Sequence, residues 1–337
     1  RLLSALFALI LIGSNLVLAQ APAQIAPERV GLSSDKLFQI DTVIQRSIKR
    51  NEIAGAVALV ARKGKIAYLK PFGMSQIKDG HKLESDSIFR IASMTKPITS
   101  VAIMMLYEEG RFRLNDPVSN YIPEFKSARV LVTEAAGHED PTTPAAREIT
   151  VHDLLTHTSG LTYHWNPRFA GYYNGAKLSH GLSVWPGPLG EKIRHLAFMP
   201  LVNHPGEAWE YGMNTDVLGY LVEVLSGVPL NKFLAERIFK PLGMKDTHFY
   251  LPPEKVQRLA AVYSPGENSE LRALGGEEIR EGTLIYSVDY PYDGPQTYYS
   301  GGGGLCSTAN DYYRFTQMML NTGEWNGTRL LGRKTVE

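Results

Sequence analysis

The stretch Phe89-Arg90-Ile91-Ala92-Ser93-Met94-Thr95-Lys96-Pro97 leads into a mainly apolar run, Ile98 to Tyr107, and this junction constrains the chain more than any other feature. A helix that is apolar on nearly all sides has to be buried among other elements. Glu108-Glu109-Gly110 stops it. Pro97 fits the first helical turn, where proline is tolerated, and would disrupt the helix further in. A helix beginning at Ser93 sets Ser93 and Lys96, three residues apart, on one face. A hydroxyl and an amine then lie side by side, a geometry in which lysine activates serine as a nucleophile.

Spacing alone does not single out this pair, because Ser-x-x-Lys occurs at Ser33/Lys36, Ser75/Lys78 and Ser93/Lys96. Ser33-Ser34-Asp35-Lys36 reads as the N-cap of an amphipathic helix whose apolar stripe is Leu37, Ile40 and Ile44. Ser75 and Lys78 fall in a polar turn before Asp79-Gly80. Only Ser93 stands at the mouth of a buried helix, where a lysine is costly unless it has a partner or a task.

At 337 residues the chain exceeds a usual single core, so one large or two interlocked domains are expected. Arg1 followed by the apolar stretch Leu2 to Ala19, ending Val17-Leu18-Ala19, has the layout of a secretory signal peptide over residues 1–19. A retained membrane anchor is the competing reading, and the stretch barely reaches spanning length. Cleavage after Ala19 predicts a secreted or periplasmic protein without a stable membrane span. No cysteine lies near the cleavage position, which disfavours a lipoprotein. Without Arg1, acids and bases balance at 34 each, and no basic block offers a footprint for nucleic acid. The single cysteine, Cys306, excludes an internal disulfide. His152 and His157 are five apart and no His-Glu-x-x-His occurs, so neither a metal nor a cofactor is expected.

Along the chain, a helix is predicted over Ser34 to Arg50. Ala54 to Val60 and Lys65 to Leu69 form a hairpin around Lys63-Gly64, the start of a sheet whose other strands the sequence does not reveal. Thr150-Val151-His152-Asp153 has a capping-box layout and opens a helix carrying Leu154-Leu155-Thr156-His157, with Gly160 as its end. A histidine beside a helix terminus reads first as structural, with catalysis as the alternative. Phe169 to Trp185, with Tyr172 and Tyr173 among glycines and prolines, lacks helical or strand period. It reads as a substrate wall or lid, or as a self-packed surface loop. Helices follow over Asp216 to Leu225 and Leu230 to Phe239, then a loop-rich segment to Tyr299. Gly301 to Gly304 reads as a flexible joint and Thr308 as the cap of a last helix.

Four of these segments, taken in order, resemble one family. They are Ser93-Met94-Thr95-Lys96, Leu154-Leu155-Thr156-His157-Thr158-Ser159-Gly160-Leu161, the Pro205-Gly206 to Tyr211 segment with Asp216-Val217-Leu218-Gly219, and Pro241-Leu242-Gly243-Met244. Together they resemble the class C β-lactamase-related serine hydrolases, which include family VIII carboxylesterases, D-amino-acid-directed peptidases and penicillin-recognising enzymes. The resemblance implies a β-lactamase/transpeptidase-like fold, α/β plus α, in which an antiparallel sheet with flanking helices packs on a helical domain. It divides the chain into residues 20–90, an N-terminal part of the α/β domain, and 91–337, a helical domain with the active-site helix. By position it implies Ser93 as nucleophile, Lys96 as its partner lysine and Tyr211 as the proton shuttle. A lysine acting as a base must be desolvated or set beside another cation, and the Ser93 amide at a helix start is the natural first oxyanion donor.

Two departures from the family pattern shape the expected activity. The penicillin-recognising members carry Tyr-x-Asn in the second motif, where this chain has Met213, with Asn214 one residue further on. The literal Tyr172-Tyr173-Asn174 lies outside the motif's context. Met213, Asn214, Tyr172 and Tyr173 are the candidate substrate-binding residues. Loss of an amide-holding asparagine favours an ester over an amide substrate. The third motif, Lys-Thr-Gly or a variant on a strand, has no match. Lys334-Thr335-Val336 lacks the glycine and reads as an ordinary helical segment. The chain is therefore expected to be a fragment of a longer enzyme, without the C-terminal strands and second oxyanion donor. The expected function is a serine hydrolase forming an acyl-enzyme at Ser93 on small or medium carboxylic esters. A β-lactamase or D-amino-acid peptidase and a non-catalytic binding member are the alternatives.

Overall fold

The computed structural model describes residues 23–132, 142–178, 181–183, 186–266, 270–276, 279–281 and 284–337. The leader expected over 1–19 and Trp185 of the aromatic stretch lie outside the described residues. Helix α1, Ser34–Lys49, is capped by the Ser33 side chain, which accepts the Lys36 N–H. Strands β1, Gly55–Arg62, and β2, Lys65–Gln76, pair antiparallel, and β3, His81–Lys82, adds to the far edge of β2. The two turn residues Lys63 and Gly64 both have positive φ, 54° and 70°, the type I′ geometry that suits a two-residue hairpin. Asp41, the one buried residue of α1, accepts hydrogen bonds from Tyr68 and Lys70 of β2 and ties the helix to the sheet.

Strand β4, Phe89–Arg90, precedes a 3-10 turn over Ala92–Met94 and helix α2, Thr95–Glu108. Short strands β5, Arg129–Leu131, and β6, Thr142–Pro144, pair with each other. Helices α3, Val151–Thr156, α4, Ala170–Gly175, α5, Leu189–Leu196, α6, Asn214–Ser226, and α7, Leu230–Leu234, surround α2 or one another. The α2–α6 crossing is the centre of the core. Ile98, Val101, Ala102, Ile103 and Leu106 meet Val217, Leu218, Leu221 and Val222, all buried. Full burial of each large side chain is worth about 2 kcal/mol, which is why the apolar run after Lys96 has to be enclosed.

Several expectations change here. The helix from Leu230 does not run straight to Phe239: it becomes a π-turn over Ala235–Phe239 before α8, Lys240–Leu242. Pro241 offers no N–H and its ring crowds the carbonyl four residues earlier, so regular α-winding gives way ahead of it. The loop-rich segment before Tyr299 contains the pair β7, Val262–Pro265, with β8, Leu271–Leu274, and the pair β9, Ile279–Glu281, with β10, Leu284–Tyr286. Strand β11, Cys306–Ser307, pairs with β4 and so returns the chain to the nucleophile turn.

Helix α9, Ala309–Leu320, packs on β1, and its Tyr313 joins Ile66 and Leu69 in a small cluster under the sheet. Helix α9 thus touches the hairpin on one side, while its Phe315 and Met318 join the main core on the other. Thr308 caps α9, but the Asp311 carboxylate turns away to the Asp246 N–H and Thr247 hydroxyl. Strands β12, Glu324–Trp325, and β13, Thr328–Arg329, form a last hairpin before α10, Arg333–Val336, which takes in the Lys334-Thr335-Val336 segment. Among the described residues no single helix is long and apolar enough to cross a membrane. The bent pair Asn214–Ser226 with Leu230–Leu242 passes by length and composition alone, and it forms buried core.

Candidate active site

Ser93 lies in the 3-10 turn that leads into α2 rather than in the helix proper. The residue before it, Ala92, has φ 41°, a left-handed conformation unfavourable for a residue with a Cβ. The surroundings hold this strain in place. The Ile91 N–H donates to the Leu305 carbonyl at 3.0 Å, the Leu305 N–H to the Thr95 hydroxyl at 3.1 Å, and the Tyr312 hydroxyl to the Met94 carbonyl at 3.0 Å. The turn thus leaves Ser93 exposed while its neighbour Thr95 is fully buried.

The three residues of the expected constellation converge. Lys96 Nζ donates to Ser93 Oγ at 3.2 Å and to the Gly302 carbonyl at 2.7 Å. The Tyr211 hydroxyl donates to the same Ser93 Oγ at 2.6 Å, although 118 residues separate the two in sequence. Lys96 Nζ also sits 4.7 Å from the centre of the Tyr211 ring and 5.6 Å from that of Tyr163, within cation–π range.

Tyr211 reaches this place because its segment is stitched to the chain after α3. The Gly206 N–H donates to the Thr158 carbonyl, the Glu210 N–H to the His157 carbonyl and the Met213 N–H to the Thr162 carbonyl. At Gly212 any Cβ would stand 2.1 Å from the Leu161 carbonyl oxygen, so the approach requires glycine. The capping box of α3 is present, and Asp153 also receives both terminal nitrogens of Arg147. The helix ends at His157 itself, φ 57°, three residues before the expected Gly160.

Gly301 to Gly304 form a buried turn, where the sequence suggests a flexible joint. The turn lies between Lys96 and Asp216: the Gly302 N–H and the Ser300 hydroxyl both donate to Asp216 Oδ1. A Cβ on Gly302 would stand 2.3 Å from Asp216 Oδ2, so the small residues are demanded by packing. Burial raises the Asp216 carboxyl above the usual carboxylate range, a shift opposed by the Ser300 hydrogen bond and the Lys96 charge. Burial, reinforced by the Lys96 charge, lowers His157 to about 4, so its imidazole is neutral at physiological pH.

The four residues expected to bind substrate are all buried. Tyr172 and Tyr173 belong to α4, and both are buried; the fully enclosed Tyr173 hydroxyl accepts the Thr162 N–H. Three and four residues beyond Phe169, both rings turn inward with it and join the main core. Met213 is 1% exposed and Asn214 fully buried, with the amide held by the Ser159 hydroxyl and by His157 Nδ1. The sequence did not signal Tyr163, Trp209 or the Gly302 carbonyl. Tyr163 and Trp209 are single aromatics, and a carbonyl is common to every residue. Among the described residues no group of three or more His, Cys, Asp or Glu could hold a metal ion.

Residues 40–337 match the β-lactamase family. The chain is 36% identical over 286 residues to protein Rv1367c of Mycobacterium tuberculosis, a match covering 84% of this chain and 66% of that protein. It is 33% identical over 298 residues to esterase EstB of Burkholderia gladioli, covering 87% and 72%. Among solved structures, EstCE1, a hydrolase with promiscuous acyltransferase activity, matches with a TM-score of 0.75 and 27% identity over 89% of this chain and 75% of that one. Simvastatin synthase of Aspergillus terreus matches with a TM-score of 0.69 and 27% identity, covering 90% and 72%. With Ser93, Lys96 and Tyr211 in contact and the family match extending over them, the chain belongs to the β-lactamase-related serine hydrolase family.

Proposed function

We propose that the protein is a carboxylesterase that acts through an acyl-enzyme at Ser93. The observation that carries this is the double approach to one oxygen, with Tyr211 Oη 2.6 Å and Lys96 Nζ 3.2 Å from Ser93 Oγ. Tyr211 Oη, in contact with Ser93 Oγ and with its ring beside Lys96 Nζ, acts as the general base that takes the Ser93 proton as Oγ attacks the ester carbonyl. The C–O bond to the alcohol then breaks, and Tyr211 returns the proton to the departing alkoxide. In the second half water attacks the acyl-enzyme carbonyl and loses a proton to the same tyrosine, which passes it to Ser93 Oγ as the bond between Oγ and the acyl carbon breaks and the acid leaves.

Two features support an ester over an amide or β-lactam. The side chain of Asn214, one residue past the family's asparagine position, is fully buried and committed to Ser159 and His157 rather than to a substrate amide. Trp209, 65% exposed and stacked on Tyr211, gives the rim an apolar surface suited to the carbon chain of an ester. The names of the relatives include both esterases and acyltransferases; water is the acceptor in the reaction proposed, and a second alcohol is the alternative.

The test uses the full-length protein with a short-chain p-nitrophenyl ester, nitrocefin and a D-alanyl peptide on one preparation. A burst of p-nitrophenol exceeding hydrolysis of the other two is expected, and Ser93→Ala should abolish it. Unchanged turnover in Ser93→Ala would remove the nucleophile assignment, and preferential cleavage of nitrocefin would replace the esterase with a lactamase.

A further inference from the structure

His157 closes the Leu154–His157 segment and is otherwise unused by the chemistry above. Its imidazole lies against the Tyr211 ring, centroids 5.3 Å apart and planes 23° from parallel. Trp209 also stacks on Tyr211, at 6.1 Å and 20°, so aromatic neighbours restrict the tyrosine's swing. Behind the imidazole, Asn214 Nδ2 lies 3.0 Å from Nδ1, and the Ser159 hydroxyl donates to Asn214 Oδ1 at 2.5 Å. With Nδ1 accepting, Asn214 fixes the tautomer and the plane of the ring. The His157 carbonyl meanwhile accepts the Glu210 N–H at 2.8 Å, one residue before Tyr211. One residue thus sets both the backbone entering Tyr211 and the face on which its ring rests.

We propose that His157, held by Asn214 and Ser159, is a positioning residue that presents the Tyr211 hydroxyl to Ser93; the inference rests on the esterase reading above. Asn214 then has a defined task, orienting the support of the proton shuttle in place of a substrate. The arrangement requires a neutral imidazole, because an imidazolium would lose the Asn214 donor bond and add a cation beside Lys96. The groups around the ring agree with this. Lys96 faces it from α2; Tyr211 and Trp209 come from the second-motif segment, where the Glu210 carboxylate is turned to the Thr162 hydroxyl. Asp153, on the same helix as His157, is paired with Arg147. Among the described residues no carboxylate is paired with the ring, and burial disfavours its charged form as well.

Two variants of the full-length protein test this, with kcat expressed per active site titrated by the acyl burst and by fluorophosphonate labelling. His157→Asn removes the ring but keeps a residue that tolerates positive φ. It should lower kcat about 10- to 100-fold with KM within about threefold, since only a transition-state contact is misplaced. Asn214→Asp keeps an acceptor for Ser159 and places a carboxylate against Nδ1, which favours the imidazolium. Its kcat should fall at acid pH and recover as pH rises, with the acid limb about one pH unit or more above that of wild type. If His157→Asn does not fold, the pH profile of Asn214→Asp decides. Absence of label at Ser93 in the wild-type protein would overturn the esterase reading and this inference together. Labelled variants with unchanged kcat and superimposable pH profiles would overturn the positioning role alone.

Discussion

Tyr211 shows how much at the residue scale depends on one hydroxyl. Its ring is packed by His157, Trp209 and Tyr163, while its oxygen meets Ser93 Oγ. Removing the oxygen leaves the packing intact, so Tyr211→Phe should keep its melting temperature within about 1 °C. It should lower kcat by about 10²- to 10⁴-fold, the usual worth of a positioned acid–base group, with KM little changed; steady-state kinetics and a thermal melt check both. Ser93 and Lys96 were legible from their spacing only together with the buried helix that follows, which set them apart from the other two Ser-x-x-Lys pairs. Tyr211 was legible only through resemblance, since no local rule links residues 93 and 211. For Tyr172 and Tyr173 the sequence left a substrate wall and a self-packed loop open, because aromatic content among glycines does not reveal which way a ring turns. Burial decided it, and both went into the core.

At the scale of elements, α3 is short, yet it carries the floor of the site and depends on its N-terminal cap. Burial alone would raise the Asp153 carboxyl; the Arg147 guanidinium and the Thr150 hydrogen bonds outweigh this and hold it below the usual range. A carboxyl depressed on folding contributes stability that is complete above the unfolded value, near pH 4, and lost as pH falls through the lower folded value. Arg147→Ala should therefore destabilise the protein by about 2 kcal/mol at pH 7. This lies below the loss for a fully buried pair because the Arg147 side chain is 44% exposed. Urea midpoints should show the gap between variant and wild type closing below about pH 4; a gap that persists would mean that Arg147 acts by packing rather than by charge. The capping box was readable from Thr150 and Asp153. The exit was not, because His157 occupies the left-handed position that glycine usually takes, three residues before Gly160.

Across the whole molecule, the α2–α6 crossing fixes the distance between the two motifs, since one helix begins just after Ser93 and the other just after Tyr211. Leu221, fully buried at this core, should cost about 2–5 kcal/mol when changed to alanine. In a chain of this size that corresponds to a fall in Tm of roughly 3–7 °C, measurable by calorimetry, with kcat at low temperature less affected than stability. The sequence by itself determined the local elements with strong periodicity or turn chemistry: the α1 cap, the Lys63-Gly64 hairpin, the buried α2 helix and the Ser93/Lys96 pair. Each depends on residues within one or two turns of each other. Tertiary structure alone decided that Ser300 to Gly304 would be a buried cradle for Lys96, that Asn214 would support His157, and that α9 would return to the sheet. Those outcomes follow from close approach between segments tens to hundreds of residues apart, where a missing Cβ or a buried carboxylate has meaning only once its neighbour is in place.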